Sequence, residues 1–185
     1  MLEYLPEISV KYFRCDNSGE NKKFQELIKS KTKINVTFEF TAPNTPQQNG
    51  KVERKFATLY GKVRSILNSA KLNDWLKGQF WAYAAQHATR MENIIVDSNG
   101  KSSYEKLWNK APKWIKYLKS FGDVAIVHDS TKIKSKLMDR GFPCIFIGHT
   151  EDHAPNVYLF YNIQTKATLL TRNVIWLNKT YRDHK

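Results

Sequence analysis

The chain has 185 residues, with 30 Lys and Arg against 17 Asp and Glu, which gives a formal net charge of +13. Its apolar content of 41% and aromatic content of 13% exclude a wholly disordered chain, because such chains lack the surface for a core. Two cysteines cannot by themselves form a disulfide scaffold or a four-ligand zinc site. No apolar run approaches the ~18 residues of a membrane span, and no signal-peptide pattern opens the chain. We therefore expect an intracellular protein. The charge favours a polyanionic partner, most simply nucleic acid, although a generic basic protein is the alternative.

The first part of the chain alternates strand and helix patterns. Apolar alternation predicts strands at 8–15 and 34–40, with a helix at 21–30 between them. The segment 42–50 carries two prolines and a glycine, which predict an irregular loop. A long amphipathic helix should follow, because apolar residues then recur at steps of three and four: Val52, Phe56, Leu59, Val63, Ile66 and Leu67.

The pattern changes in the second part. A further helix is predicted over 75–96, interrupted at Gly78, and a polar loop over 97–103. From residue 121 onward, short apolar runs alternate with turn residues, which is typical of a small antiparallel barrel. The predicted strands of that barrel lie at 124–127, 144–147, 157–161, 168–171 and 174–177. A domain boundary is expected between about 100 and 120.

Two carboxylates occupy positions suited to a metal site. Asp16 follows the first predicted strand, and Glu53 falls in the first turn of the long helix, at the border of its apolar stripe. If the two strands pair, both carboxylates can meet at one edge of the sheet. Mg²⁺ prefers such oxygen ligands, and a pair of divalent ions can assist phosphoryl transfer. The alternative to a metal site is that each residue has a structural role. Asp16 would then stabilise a turn, and Glu53 would interact favourably with the dipole at the N-terminus of the helix.

Local motifs resemble a known family. Residues 14–20, Arg-Cys-Asp-Asn-Ser-Gly-Glu, resemble the second catalytic-Asp motif of copia-type, retroviral-like integrases. Residues 43–54 resemble the catalytic-Glu motif of that class, and Gln-Gln-Asn-Gly-x-x-Glu-Arg is the most specific part. Trp81-Ala82 and residues 102–105 resemble the continuation of the core, where the family more often has Pro at the position of Ser103. The segments that resemble the SH3-like domain following the core are 121–122, 140–149, 161–162 and 172–174.

This resemblance implies an α/β ribonuclease-H-like core, truncated at its N-terminal side, followed by a small all-β SH3-like barrel. The domains would be a partial catalytic core at 1–100, a linker at 101–120, the SH3-like domain at 121–178 and a tail at 179–185. The family's first Asp lies on an earlier strand, and none of the fifteen residues before Asp16 is Asp. The family's His-His-Cys-Cys zinc module is also absent. The remaining strands would leave an open apolar edge, which favours aggregation.

The resemblance also implies an activity for the intact parent, in which a DNA 3′-hydroxyl attacks a target phosphodiester. Asp16 and Glu53 would be catalytic and metal-ligating, with Mg²⁺ or Mn²⁺ as cofactor. The implied partners are retroelement ends, target DNA and further copies of the chain, with action in the nucleus and no membrane. Without the first Asp, we expect this chain alone to bind metal weakly and not to join DNA strands. The alternatives are a non-enzymatic nucleic-acid-binding remnant and an unfolded product.

Cations and aromatic residues supply the predicted contacts with DNA. Contacts with phosphates, salt-sensitive and largely independent of sequence, are expected from Lys51, Arg54, Lys55, Lys62 and Arg64, although a solvated helix face is the alternative. A second basic stretch lies at 110–140. Trp81 is predicted to be a core residue, while Trp114 could be core or a base-stacking residue.

Two remaining groups of residues favour structural roles over chemistry. His149 and His153, near Cys144, predict a surface turn of the barrel rather than a zinc site. Cys15 is expected to be a buried strand residue rather than a nucleophile.

Overall fold

A computed structural model describes residues 10–31, 35–42, 46–129, 137, 139–150 and 152–184. The chain divides into two compact units, Met1–Thr58 and Leu59–Lys185. This division does not coincide with the boundary expected between about 100 and 120. Within the described ranges, no helix is both long enough and apolar enough to cross a membrane.

The first unit is built on a β-α-β element. Strand β1 (Tyr12–Cys15) is followed by helix α1 (Gly19–Lys31) and strand β2 (Thr37–Phe40). The strands pair in parallel, with Tyr12 opposite Thr37 and Cys15 opposite Phe40. A parallel pair needs a crossover connection, and α1 provides it. The predicted elements are thus present with shorter strands, while residues 8, 9 and 34 lie outside the described ranges.

Aromatic side chains join α1 to this sheet. The ring of Phe24 on α1 lies 5.4 Å from that of Phe13 and 5.9 Å from that of Phe38, measured between centroids. The opposite side is uncovered, because Tyr12 is 65% exposed and Val10 is also exposed. Among the described residues of this unit, no hydrophobic side chain is fully buried. The described part of the unit therefore carries an exposed apolar face, whereas the open apolar edge expected from the sequence stays a prediction.

Helix α2 (Pro46–Ser69) begins earlier than expected. The prediction of an irregular loop up to residue 50 was wrong from Pro46 onward. Proline is favoured at the first helical position, where its missing N–H costs nothing, and one glycine inside a helix costs only about 1 kcal/mol. The apolar stripe of α2 is buried only in its second half, at Val63 and Leu67, while Phe56 is 54% exposed.

The second unit combines the end of α2 with helices and an antiparallel sheet. The sheet has the strand order β6-β5-β4-β3-β7, and every neighbouring pair is antiparallel. All five strands predicted from the apolar runs are present. The elements are α3 (Asp74–Glu92), α4 (Ser103–Trp108), a 3₁₀ turn (Ile115–Tyr117), β3 (Asp123–His128), β4 (Gly141–His149), β5 (Tyr158–Asn162), β6 (Thr168–Thr171), β7 (Val174–Thr180) and α5 (Tyr181–His184).

Both faces of this sheet are packed. One face meets α2 and α3, and its core contains Val63, Leu67, Phe80, Ala84, Val124, Ile145 and Ile147. The other face buries Phe146 and Phe160, with Trp176 packed against them. The helices before residue 100 and the strands after residue 120 therefore share one hydrophobic core.

The predicted linker and tail are also structured. The span 101–120 contains α4 and the 3₁₀ turn. The span 179–185 contains the end of β7 and α5, where Tyr181 is buried in the core. Tertiary packing supplies contacts in these segments that local polarity does not reveal. Their roles as a linker and a tail stay predictions.

Candidate metal and nucleic-acid sites

Asp16 lies at the carboxyl edge of the parallel strand pair. It follows Cys15, the last residue of β1, and the Thr41 N–H donates to the Cys15 carbonyl at 2.9 Å. Both strands therefore end at the same edge, and the chain leaves β2 there toward α2. Loops at this edge of open α/β sheets commonly carry ligand-binding residues.

The Asp16 carboxylate is held by local hydrogen bonds. Its Oδ1 accepts from Asn21 Nδ2 at 2.5 Å and from the Ser18 N–H at 3.4 Å. Hydrogen bonds from the side chains of Ser18 and Asn21 lower the pKa of Asp16 below its usual range. The carboxylate is therefore ionised at neutral pH and suited to bind a hard cation. The Ser18 bond is also that of an Asx turn, so the turn role considered from the sequence is present as well.

Glu53 does not lie where the sequence placed it. It is the eighth residue of α2 rather than a first-turn residue, because the helix begins at Pro46. Its side chain is exposed and does not border a buried face. The reason is that this half of the apolar stripe has no packed cover among the described residues.

The donor set fits a magnesium site only in part. Asp16 and Glu53 are both carboxylates, the ligands that Mg²⁺ prefers. In the described portion of the chain, no three or more His, Cys, Asp or Glu side chains come together where they could hold one metal ion. A joint coordination of one ion by Asp16 and Glu53 therefore stays a prediction from the sequence.

The predicted DNA-contacting cations are mostly exposed. Lys51, Arg54 and Lys55 are exposed in the first unit, and Arg64 is exposed in the second. Lys62 Nζ lies 3.1 Å from Glu92 Oε2, so its charge is partly neutralised. In the second basic stretch, residues 130–136 and 138 lie outside the described ranges.

The prediction that Trp81 is a core residue was wrong. Helix α3 buries Leu76, Phe80, Ala84, His87 and Ala88, and Trp81 lies beside that stripe with 51% of its surface exposed. Trp114 is half-buried, and the Arg90 guanidinium carbon lies 4.1 Å above its ring centroid. The fold brings Trp81 close to aromatic residues of the segment 104–114. The sequence carries no signal of this, because Trp81 is far from that segment along the chain.

In the part of the chain that the structure describes, no thiol or imidazole belongs to a group of three or more possible metal ligands. Cys15 is half-buried at the end of β1, where burial and the neighbouring Asp16 raise the pKa of its thiol. Burial raises the pKa of Cys144 to about 12.

The two histidines of the predicted surface turn lie in different elements of the structure. His149 ends β4 and packs against Phe146 at 5.1 Å between ring centroids, and burial lowers its pKa to about 4. His149 is therefore not a surface-turn residue, because the strand extends through it. His153 is exposed in the following turn.

The sheet of the second unit is similar to a known domain family. Residues 124–185 match the family described as the retroviral polymerase SH3-like domain. The matched residues contain nearly all of β3, the four remaining strands and α5. This part of the chain is therefore similar to that domain family.

The relatives of the whole chain are transposon polyproteins. Over 176 residues, 94% of the chain, it is 32% identical to the retrovirus-related Pol polyprotein from transposon TNT 1-94 of Nicotiana tabacum. It is 25% identical, over the same share, to the retrovirus-related Pol polyprotein from transposon RE1 of Arabidopsis thaliana. The chain spans 13% and 11% of the lengths of these two relatives. The predicted resemblance to a copia-type retrotransposon polyprotein is confirmed, and it extends over nearly the whole chain.

A solved structure was also matched. It is a chain of the cryoEM structure of the simian T-cell lymphotropic virus intasome in complex with PP2A regulatory subunit B56 gamma, with 16% sequence identity and a TM-score of 0.40. The match covers 90% of this chain and 57% of that chain. At that TM-score, the two structures differ too much for functional residues to be transferred.

Proposed function

We propose that this chain is the later part of a retrotransposon integrase, with the end of a ribonuclease-H-like core followed by the SH3-like domain. The observation that carries the proposal is the position of Asp16 at the carboxyl edge of the parallel β1–β2 pair. This is where a strand-end carboxylate can serve a metal-dependent site. The alignment with transposon Pol polyproteins over 94% of the chain supports the same assignment.

In this proposal, Asp16 and Glu53 hold Mg²⁺ or Mn²⁺ in the intact parent. The metal ions, when bound, stabilise charge on the oxygens of the phosphodiester during strand transfer. The contribution of Asp16 is an ionised carboxylate, oriented by Ser18 and Asn21. Glu53 contributes a second carboxylate from a helix. We expect these two carboxylates alone to bind the metal weakly and not to support strand transfer.

The nucleic-acid partner is engaged by exposed cations. Lys51, Arg54, Lys55 and Arg64 would contact phosphates, and Lys62 would contribute less because Glu92 competes for its charge. The parent would act on retroelement ends and target DNA in the nucleus, as a homo-oligomer.

Metal binding tests the carboxylate roles. Mn²⁺ titration monitored by electron paramagnetic resonance should show weak binding by the wild-type chain and none by D16N/E53Q. The matched control is E20Q, which removes an exposed carboxylate from α1 and should leave Mn²⁺ binding unchanged. Equal binding by wild type and D16N/E53Q would contradict the proposed metal roles. Strand transfer by the isolated chain would contradict the expectation that Asp16 and Glu53 alone do not support that reaction.

The salt dependence of duplex binding tests the cation roles. Replacing Lys51, Arg54, Lys55 and Arg64 by Ala should make the slope of log K against log salt shallower by roughly 3–4, since each phosphate contact contributes about 0.9. Removing four exposed cations of α1, Lys22, Lys23, Lys29 and Lys31, changes the net charge equally and should leave the slope nearly unchanged. If both sets of substitutions changed the slope equally, the net charge of the chain, and not these particular cations, would account for duplex binding.

A non-enzymatic nucleic-acid-binding remnant is the second candidate. It is favoured by the exposed position of Glu53 and by the absence of a three-ligand group among the described residues. In this case, DNA affinity should be independent of divalent metal and of D16N/E53Q. A metal-dependent rise in affinity that D16N/E53Q abolishes would instead support the integrase assignment.

A further inference from the structure

A small cavity lies beside the first turn of α3, within the second unit. Its volume is about 210 Å³, and its walls come from α3, β4, β5, the turn after β5, and α5. A protein cavity of about 150 Å³ can hold a benzene molecule, so this one is large enough for a single ring with a short substituent. Neither the proposed metal ligands nor the proposed DNA contacts line it.

Four apolar side chains form part of the cavity wall. Trp75 and Leu76 come from the first turn of α3, Ile145 comes from β4, and Ile163 comes from the turn after β5. Leu76 and Ile145 belong to the hydrophobic core of the unit, whereas Trp75 is 55% exposed. These side chains offer a surface against which a ligand can bury an apolar group, and such burial is favourable in proportion to its area.

Three hydrogen-bond donors line the same cavity. The Lys166 ammonium lies 5.6 Å from the centroid of the Trp75 ring. Asn73 Oδ1 accepts from the Leu76 N–H at 2.8 Å, so the amide of Asn73 can offer its NH₂ group to a ligand. Tyr161 is buried, and its hydroxyl has no hydrogen-bond partner among the residues that the structure describes. These groups call for a ligand that accepts hydrogen bonds.

The turn after β5 determines where Lys166 begins. Asn162 is buried, and its Oδ1 accepts from the N–H groups of Gln164 at 2.8 Å and Thr165 at 3.0 Å. The Lys166 N–H donates to the Asn162 carbonyl at 2.9 Å, and φ at Lys166 is +60°. Hydrogen bonds to one buried residue therefore hold the backbone from which the ammonium extends toward α3.

The charge of Lys166 is not neutralised by an ion pair with any acidic side chain in the described ranges. Every residue of the turn that carries it is described. The acids nearest to the lining residues along the chain have other partners. Asp74 Oδ1 lies 3.4 Å from Lys77 Nζ, with its side chain 99% exposed, and Asp183 Oδ1 accepts from Lys71 Nζ at 2.9 Å. The cavity therefore presents one cation and uncharged donors beside an apolar wall.

These features favour a small monoanion that carries an apolar group. A cationic ligand would be repelled by Lys166, and an uncharged apolar ligand would displace water from the Tyr161 hydroxyl without replacing its hydrogen bonds. Inorganic phosphate has no apolar group to bury against Trp75. A carboxylate brings one negative charge and two acceptor oxygens.

We propose that this cavity binds a carboxylate attached to one aromatic or branched aliphatic group. Two sources supply this chemistry, namely a small organic acid and the C-terminal residue of a polypeptide. The site is independent of the metal ligands and of the proposed function.

An acid and its amide provide the first test. N-acetylphenylalanine and N-acetylphenylalanine amide share the ring and differ at the carboxylate. Their binding to the ¹⁵N-labelled chain would be measured by chemical-shift titration, followed at the indole N–H of Trp75. The acid should bind about 10-fold more tightly, since hydrogen bonds to charged groups are the stronger ones. Acetate and inorganic phosphate should bind more weakly than this acid. Equal binding of acid and amide, or tighter binding of phosphate, would overturn the proposal.

Matched substitutions test whether binding occurs in this cavity. K166Q and Y161F should each weaken binding of N-acetylphenylalanine by about 5- to 10-fold. The controls are K110Q, which removes an exposed cation outside the cavity, and Y158F, which removes a buried tyrosine hydroxyl from the other face of the sheet. Both controls should bind as the wild type does. Equal losses in each variant and its control would overturn the assignment, and unchanged circular dichroism melts would show that the variants remain folded.

A short peptide ending in phenylalanine distinguishes the two sources. If a polypeptide terminus is the ligand, this peptide should compete with N-acetylphenylalanine, and its C-terminally amidated form should not. Binding of the free acid without competition by the peptide would assign the cavity to small organic acids. If neither the free acid nor the peptide bound, the proposal would be overturned, while metal binding, duplex binding and the proposed function would be unaffected.

Discussion

Gly122 is a residue at which backbone conformation and packing allow no side chain. Its φ is +89°, and its N–H donates to the Phe146 carbonyl at 2.9 Å. An added Cβ would lie 2.3 Å from the Cβ of Ala70. The close approach therefore ties the end of the α2 segment to the start of β3.

Gly122→Ala should destabilise the second unit by about 2–4 kcal/mol, because it adds both backbone strain and a steric clash. Urea unfolding would measure the loss. Gly78→Ala is the control, since Gly78 lies inside α3 with nothing within 4 Å of an added Cβ. This change should stabilise the helix by about 0.5–1 kcal/mol. Similar effects of the two substitutions would contradict the role assigned to the contact with Ala70.

His87 should make stability depend on pH. Its ring lies 5.7 Å from Phe121 and 6.1 Å from Phe146, and burial, with a smaller effect of Arg90, lowers its pKa to about 4. As pH falls from about 6.5 to 4, the unfolded chain takes up the proton before the folded chain does. The stability contributed by the neutral ring is therefore present above pH 6.5 and lost toward pH 4.

Between about pH 6.5 and pH 4, His87→Phe should reduce the number of protons taken up on unfolding by close to one. The measurement is the slope of the unfolding free energy against pH, which separates titration from any change in packing. His149, whose pKa is also lowered to about 4, should account for part of the remaining slope. An unchanged slope in His87→Phe would show that His87 does not titrate with folding.

At the scale of single elements, the short helix α4 depends on its N-terminal cap. The Glu105 N–H donates to Ser102 Oγ at 3.1 Å, and the Ser102 N–H donates to Glu105 Oε2 at 2.9 Å. This reciprocal pair is a capping box, and Ser102 is buried. A six-residue helix has few internal hydrogen bonds, so the cap contributes a large share of its stability.

Ser102→Ala should therefore cost about 1 kcal/mol and expose the α4 backbone to hydrogen exchange. The exposed neighbour Ser103 is the control, and Ser103→Ala should change stability by no more than about 0.5 kcal/mol. Equal hydrogen exchange in α4 for both variants would indicate that packing, not the capping box, holds the helix.

Element boundaries were predictable where local signals and tertiary contacts agree. All five strands of the second unit follow from short apolar runs between turn residues, since both faces of their sheet are covered. The start of α2 was missed because Pro46 is compatible with a helix start as well as a loop. The exposure of Trp81 was missed because spacing along a helix identifies neighbouring positions but not the element that covers them.

At the scale of the whole chain, the core of the second unit requires helices that precede the SH3-like sequence. Leu67, Leu76 and Phe80 pack against Ile145 and Ile147 of β4. Removing a buried Leu or Phe side chain typically costs about 2–5 kcal/mol, and a domain is stable by only about 5–15 kcal/mol. Removing all the helices that cover this face should therefore cost more free energy than the unit's total free energy of unfolding.

A fragment of residues 59–185 should unfold cooperatively, whereas a fragment of 121–185 should not. Thermal circular dichroism and binding of a hydrophobic dye would distinguish them, because the shorter fragment exposes the face carrying Ile145 and Ile147. A cooperative transition in 121–185, at the same temperature as in 59–185, would show that the helices are dispensable for the sheet.

The candidate metal site was only partly predictable from the sequence. Asp16 followed from a strand pattern ending at a turn, and the structure places it at the expected edge. The position of Glu53 depends on where α2 begins, which the motif does not specify. The role of Glu53 as a metal ligand stays a prediction. Asp16 and Glu53 are distant in sequence, and no local pattern indicates how far apart their carboxylates lie in the folded chain.

The pairing of β7 with β3 constrains how the protein is made. Strand β7 contacts the sheet through β3, although β4, β5 and β6 are synthesised between them. While the ribosome is still producing those strands, the outer margin of β3 lacks its partner. Nascent chains that pause before residue 174 would thus present unpaired backbone to other polypeptides, and chaperone demand should be greatest at that stage of translation.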